Sequence, residues 1–100
     1  MKMLALMLAL MLSATPSVAA SKGKACGGAP NIKCDGTLWC DPDPGKCGAA
    51  DLQGKCVVVP GDCSDRDQTD VCGCNNKIYF NDCYRLRDKE QKKADGVCTK

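Results

Sequence analysis

The chain has 100 residues, ten of them cysteine, a formal net charge of +2 and no histidine. The absence of histidine excludes Ser-His and Cys-His nucleophilic sites and every histidine-containing zinc site. With 14 basic residues against 12 acidic ones, no stretch is basic enough to point to nucleic acid.

Residues 1–20 open with Met1-Lys2-Met3, continue as an unbroken apolar run over 3–12, and end in small residues up to Ala19 and Ala20. That order predicts a secretory signal peptide, and an apolar core of ten residues is too short to cross a membrane. Cleavage is expected after Ala19 or Ala20, with the mature chain secreted or periplasmic. Processing as a lipoprotein at Cys26 is disfavoured, because Lys22-Gly23-Lys24-Ala25 is polar and lacks the expected leucine. Without the signal, one residue in eight is cysteine and only 19 other apolar residues remain. Such a chain cannot build a self-sufficient core. An even cysteine count behind a signal predicts a disulfide framework. Five bridges at about 2–4 kcal/mol each supply the missing stability.

Residues 21–55 form a leader with cysteines at 26, 34, 40 and 47. Cys26-Gly27-Gly28, Asp35-Gly36 and Asp41-Pro42-Asp43-Pro44-Gly45 are turn sequences. Almost no regular structure is predicted over 26–50, only tight turns and a small hairpin around Leu38, Trp39 and Cys40. Trp39 is expected to pack over a disulfide rather than to stack on a ligand.

Val57-Val58-Val59 is a β-branched run stopped by Pro60-Gly61. Residues 71–74, the turn Asn75-Asn76 and residues 77–79 predict a short hairpin, since Asn tolerates the positive φ of a two-residue turn. Asn81 or Asp82 is positioned to cap a helix over about 82–93, with Cys83, Leu86 and the stem of Arg87 inward. Lys89, Lys92 and Lys93 read as its outer face, with Asp88 and Lys92 paired. Gly96-Val97-Cys98 is expected to return as a last strand. The fold class predicted is small, disulfide-rich α+β. Asp62, Asp65, Asp67 and Asp70 lack EF-hand spacing and read as a solvated acidic loop, so no metal or cofactor is expected. Ser64 has no base partner, and Cys72-Gly73-Cys74 is not a Cys-x-x-Cys pair, so the chain is not read as an enzyme.

Residues 71–83, Val-Cys-Gly-Cys-Asn-Asn-Lys-Ile-Tyr-Phe-Asn-Asp-Cys, resemble the Kazal family of serine protease inhibitors. The resemblance rests on Val71-Cys72-Gly73, Asn75-Asn76-Lys77, Tyr79, Asn81-Asp82-Cys83 and the ten residues between Cys72 and Cys83. It covers residues 56–98. The family usually carries a further cysteine where this chain has Leu86, and Cys74 reads as its relocated substitute, as in bacterial Kazal-like proteins with a Val-Cys-Gly-Cys motif. The Cys-Gly-Gly leader is similar to the one that accompanies those domains. The resemblance implies Cys63–Cys83 and Cys72–Cys98, with Cys56–Cys74 as the relocated bridge. Among the leader cysteines the interleaved pairing Cys26–Cys40 and Cys34–Cys47 is favoured.

The resemblance also implies a function. A loop between Cys63 and Cys72, comprising Ser64, Asp65, Arg66, Asp67 and Gln68 at its centre, would enter a protease cleft as an extended substrate-like strand. Asn81, with Tyr79 behind it, would support the loop backbone on both sides of the scissile bond. The primary specificity residue is Asp65 counted from Cys63, or Arg66 counted back from Cys72, because this loop is one residue longer than the family's usual one. The implied partner is a serine protease, bound by a monomer, with no nucleic acid and no membrane. The alternative is a non-inhibitory extracellular binding module of the follistatin type.

Overall fold

A computed structural model describes residues 18–99, so most of the signal read over 1–20 lies outside the described residues. Six short strands and one helix follow in the order β1 (Ala25–Gly27), β2 (Trp39–Pro42), β3 (Gln53–Val57), β4 (Val71–Gly73), β5 (Ile78–Tyr79), α1 (Asp82–Arg87) and β6 (Lys92–Asp95). They make a small disulfide-rich α+β fold with two antiparallel three-stranded sheets.

The first sheet has the order β1-β3-β2. Its centre, β3, alternates exposed Gln53 and Lys55 with buried Gly54 and Cys56, the period of two that a half-buried strand needs. Gly54 is required there by space: a Cβ would meet the backbone of Asp41, with the Pro42 Cα only 2.9 Å away. β2 therefore lies unusually close against β3, with Cys40 opposite Cys56 and Asp41 opposite Lys55. Trp39 is half-buried opposite Val57. The leader is thus more regular than its turn sequences predict, because ladder pairing to β3 overrides weak local propensity.

The second sheet has the order β5-β4-β6. β4 and β5 form the predicted hairpin, with Val71 opposite Tyr79 and Cys72 opposite Ile78. Asn76 takes φ 63°, the left-handed conformation expected of it. Gly73 leaves room for the hairpin's own packing: a Cβ there would meet Asn75 Oδ1, Glu90 Cγ and Tyr79 Cε2 at 2.5–2.9 Å.

Asn81 is the helix cap, its Oδ1 accepting from the Tyr84 N–H at 3.2 Å. α1 ends at Arg87, six residues short of the predicted end at 93. Lys89 turns left-handed at φ 52°, and the N–H groups of Lys89 and Glu90 donate back to the carbonyls of Leu86 and Arg85. This is a Schellman stop without its usual glycine. The chain then returns as β6 at 92–95 rather than at 96–98. Asp88 and Lys92 consequently share no helix face; Asp88 pairs with Lys77, and Lys92 with Asp82 and Asp95.

Every cysteine is in a bridge: Cys26–Cys40, Cys34–Cys56, Cys47–Cys74, Cys63–Cys83 and Cys72–Cys98. Three coincide with the expected pairs. The other two correct the expected Cys34–Cys47 and Cys56–Cys74. Cys56 is carried into the first sheet by β3, where Cys34 lies close, so Cys74 is left to Cys47 across the two halves. Besides Val71 and Tyr79, the buried apolar residues are cysteines 26, 56, 63, 72 and 83, so sulfur supplies most of the core.

Among the described residues, one buried side chain is charged. Arg85, 2% exposed, reaches Asp41 of β2 with Nη1 and Nη2 at 2.9 and 3.1 Å. It reaches Asp82 with Nε and Nη2 at 2.6 and 3.1 Å, and the Glu90 carbonyl with Nη1 at 2.8 Å. All five guanidinium donors are used. Burial works against this charge, yet the two carboxylates raise its pKa above the ordinary arginine value. Burial likewise pushes the Asp82 carboxyl up, but Arg85, helped by Lys92, holds it below its usual value.

Non-reducing peptide mapping is expected to recover Cys34–Cys56 and Cys47–Cys74; a Cys56–Cys74 peptide would contradict this fold. Arg85→Met should lower unfolding free energy by about 1.5–3 kcal/mol in denaturant titration, the scale of lost hydrogen bonds to charged groups, because the carboxylates left behind are partly exposed. Because Asp82 titrates lower folded than unfolded, its contribution is present above about pH 4 and lost as pH falls toward its folded value. Thermal melts should therefore weaken only below about pH 4, and Asp82→Asn should flatten that acid limb.

Candidate functional site

The segment between Cys63 and Cys72 is the longest exposed loop in the second half of the chain, with residues 64–69 all exposed. Its first half is a tight turn. The Ser64 N–H and hydroxyl both donate to Asp62 Oδ1, at 2.9 and 2.7 Å, and the Arg66 N–H donates to the Cys63 carbonyl at 3.3 Å. The Ser64 N–H, and then its hydroxyl, hold the Asp62 carboxyl below its usual value. This corrects the expectation that the whole 64–69 segment is extended. The aspartate-serine turn takes up residues 63–66.

From Asp67 onward the loop is tied down at separate points. Asn81 Nδ2 donates to the Asp67 carbonyl at 3.2 Å. The Thr69 N–H donates to the Phe80 carbonyl at 2.9 Å. Cys63, at the loop's start, is bridged to Cys83. The three anchors on the far side, Phe80, Asn81 and Cys83, all belong to the entry of α1. Asn81 is 5% exposed, with its oxygen on the helix and its nitrogen on one loop carbonyl, that of Asp67, rather than on two as expected.

The side chains named from the sequence differ in what they do. Asp65 and Arg66 point outward, 79% and 61% exposed, and pair with each other at 3.4 Å. An ion pair this exposed contributes little and does not fix Arg66. Gln68 donates to Asp70. Tyr79 is buried, but its hydroxyl accepts from Asn75 and its ring lies under the Lys77 ammonium, 5.0 Å from the centroid. It braces the hairpin turn rather than the loop.

Beside the loop lies an open groove of about 330 Å³ lined by Val58, Pro60, Arg66, Asp82, Cys83 and Leu86. On the other side of the helix entry, Phe80 and Tyr84 meet edge to face, and Arg87 stacks on Tyr84 at 4.8 Å. Among the described residues no buried side-chain donor or acceptor lacks a partner, so the site offers no internal polar vacancy for a ligand. The cysteine sulfurs that cluster at 26, 34 and 56 are in bridges and have no thiolate to give a metal.

Sequence reasoning missed three contributors: Asp62, Phe80 and Arg85. The Asp62-x-Ser64 pattern was a readable signal for the turn. Arg85 and its partner Asp41 are 44 positions apart, and nothing in either local sequence announces the pair. No protein-family model, curated protein or solved structure was found to match the chain.

Asn81→Asp keeps an oxygen for the helix cap but removes the donor to Asp67. Because the new carboxylate oxygen then faces the Asp67 carbonyl in a buried place, the substitution should lower the thermal melt and expose the 64–69 segment to faster limited proteolysis. Asn81→Ala loses both bonds and should cost about 1–2 kcal/mol as well. Equal protease resistance in wild type and Asn81→Asp would show that the bond to Asp67 does not order the loop.

Proposed function

We propose that the chain is a secreted or periplasmic Kazal-like inhibitor of serine proteases, presenting the Cys63–Cys72 loop to the protease cleft. The single observation that carries this reading is the hydrogen bond from buried Asn81 Nδ2 to the Asp67 carbonyl. A substrate-like loop inhibits only if it is rigid before binding, because ordering it in the cleft would consume the binding energy. Here the loop's start is bridged, its middle is held by a side-chain amide and its exit by a main-chain bond.

The same bond favours one of the two possible reactive peptide bonds. The resemblance assigns the supporting asparagine to the backbone flanking the scissile bond, and the carbonyl held is that of Asp67. The reactive bond is then the one between Arg66 and Asp67, with Arg66 as the primary specificity residue. Its guanidinium is exposed and only loosely paired, free to enter a pocket with a carboxylate at its base. Five disulfides with no free thiol fit an oxidising compartment. No described helix is long and apolar enough to cross a membrane.

The test is titration of the oxidised protein against trypsin-, chymotrypsin-, elastase- and glutamyl-type proteases. Inhibition of the trypsin-type enzyme is expected, with Arg66→Ala raising the inhibition constant about 30-fold or more, as for a desolvated charge pair cut on one side. Asp65→Ala should change it little. Inhibition confined to the glutamyl-type enzyme would move the primary residue to Asp65. No inhibition across the panel would replace this reading with the extracellular binding module, which the turn at 63–66 would then serve as a recognition surface.

A further inference from the structure

We infer that the leader sheet sets the geometry of the loop: Asp41 is a positioning residue that acts on the loop through Arg85 and the entry of α1. The inference rests on the loop being the functional element proposed above.

The physical route is short. The loop's three far-side anchors, Phe80, Asn81 and Cys83, sit within four consecutive residues. A helix of six residues does not hold its own geometry, so its orientation must come from neighbours. One neighbour is the hairpin, which leads directly into it through Tyr79 and Phe80. Cys63–Cys83 cannot serve as an independent reference, because it ties the helix to the loop itself. The second reference is the leader. Arg85 grips Asp82, the residue next to Asn81, with two donors, and grips Asp41 with two more. A guanidinium is planar, so a double grip on each side fixes direction as well as distance.

Asp41 is in turn well placed to be a fixed point. It follows Cys40, which is bridged to Cys26, and its backbone is pressed against Gly54. The next turn is closed by the Asp43 N–H on the Gln53 carbonyl at 2.9 Å. From the rigid first sheet, the contact therefore passes through Asp41, Arg85, Asp82 and Asn81 to the Asp67 carbonyl. A purely stabilising ion pair would loosen the whole fold when cut. A positioning pair loosens the loop first.

The test uses the full oxidised protein and Asp41→Asn, compared by hydrogen exchange in nitrogen-15 NMR spectra. The Asn81 side-chain amide and the Thr69 N–H report on the loop. The Gly73 N–H, bonded to the Lys77 carbonyl, reports on the hairpin. Exchange at Asn81 and Thr69 should quicken about tenfold or more, the scale of one lost charge-assisted hydrogen bond, with Gly73 unchanged. With a sensitive protease, loop cleavage should accelerate more than the inhibition constant rises. If Asp41→Asn fails to form the native bridges, Asp41→Glu, which keeps the charge and moves the carboxylate by one methylene, carries the same measurement. Equal quickening at Gly73, or none at Asn81, overturns the inference. The exchange arm needs no protease, so a wild type that inhibits nothing removes the proposed function and still leaves this coupling to be decided.

Discussion

The fold depends on the buried guanidinium of Arg85. In a chain with so few aliphatic residues, burying an arginine runs against the usual economy of a core, because its hydration is lost. The structure compensates by meeting all five donors with two carboxylates and a carbonyl. Such an arrangement adds little or no net stability over an apolar equivalent but is unforgiving of misplacement. If α1 sat one turn away from Asp41, Arg85 would keep Asp82 and the Glu90 carbonyl but lose both bonds to the leader. The ion pair therefore selects one relative placement of helix and leader, which a core built mainly of disulfides does not do by shape alone.

The disulfides complement that selection. Cys34–Cys56 closes the first sheet, while Cys47–Cys74 joins the leader to the hairpin. β3 runs through Cys56 without a break, from leader residues into the second half of the chain. Alongside Cys47–Cys74, Gln91 Nε2 donates to the carbonyls of Asp43 and Gly45, and the Gly45 N–H donates to the Lys92 carbonyl. Covalent, main-chain and ionic links thus converge on the same seam between the two halves. The Cys47 end of this bridge is exposed, so the polar links have to hold the seam where no apolar contact shields it.

What was legible in the sequence follows from the range of the interactions involved. The hairpin turn at Asn75-Asn76 and the cap at Asn81 are local: one residue's φ, or one side chain three positions from its partner, decides them. The α+β class followed from the same signals. The end of α1 was illegible because Lys89 adopts a conformation usually left to glycine, held by bonds to Leu86 and Arg85. The strands of the leader were illegible because Gly54 reads as a turn residue, whereas its role is to let β2 approach. Pairing of Cys34, Cys47, Cys56 and Cys74 depends on where β3 carries Cys56, a tertiary fact with no local trace. Arg85 read as one more charge on a helix surface, since its partner lies on a strand that the sequence did not announce.

The loop shows why counting along the sequence left Asp65 and Arg66 tied. The distance from a flanking cysteine is an unreliable ruler where part of a loop folds into a turn. In the folded chain that turn lies between Cys63 and Arg66, where the Asp62 carboxylate gathers the Ser64 N–H and hydroxyl. Beyond it the backbone is fixed by Asn81 at Asp67 and by Phe80 at Thr69. An anchor that contacts the backbone rather than a side chain tolerates any residue at the positions it holds. Rigidity here comes from Asn81 and what lies behind it, while the exposed side chains of Asp65 and Arg66 are held only by each other.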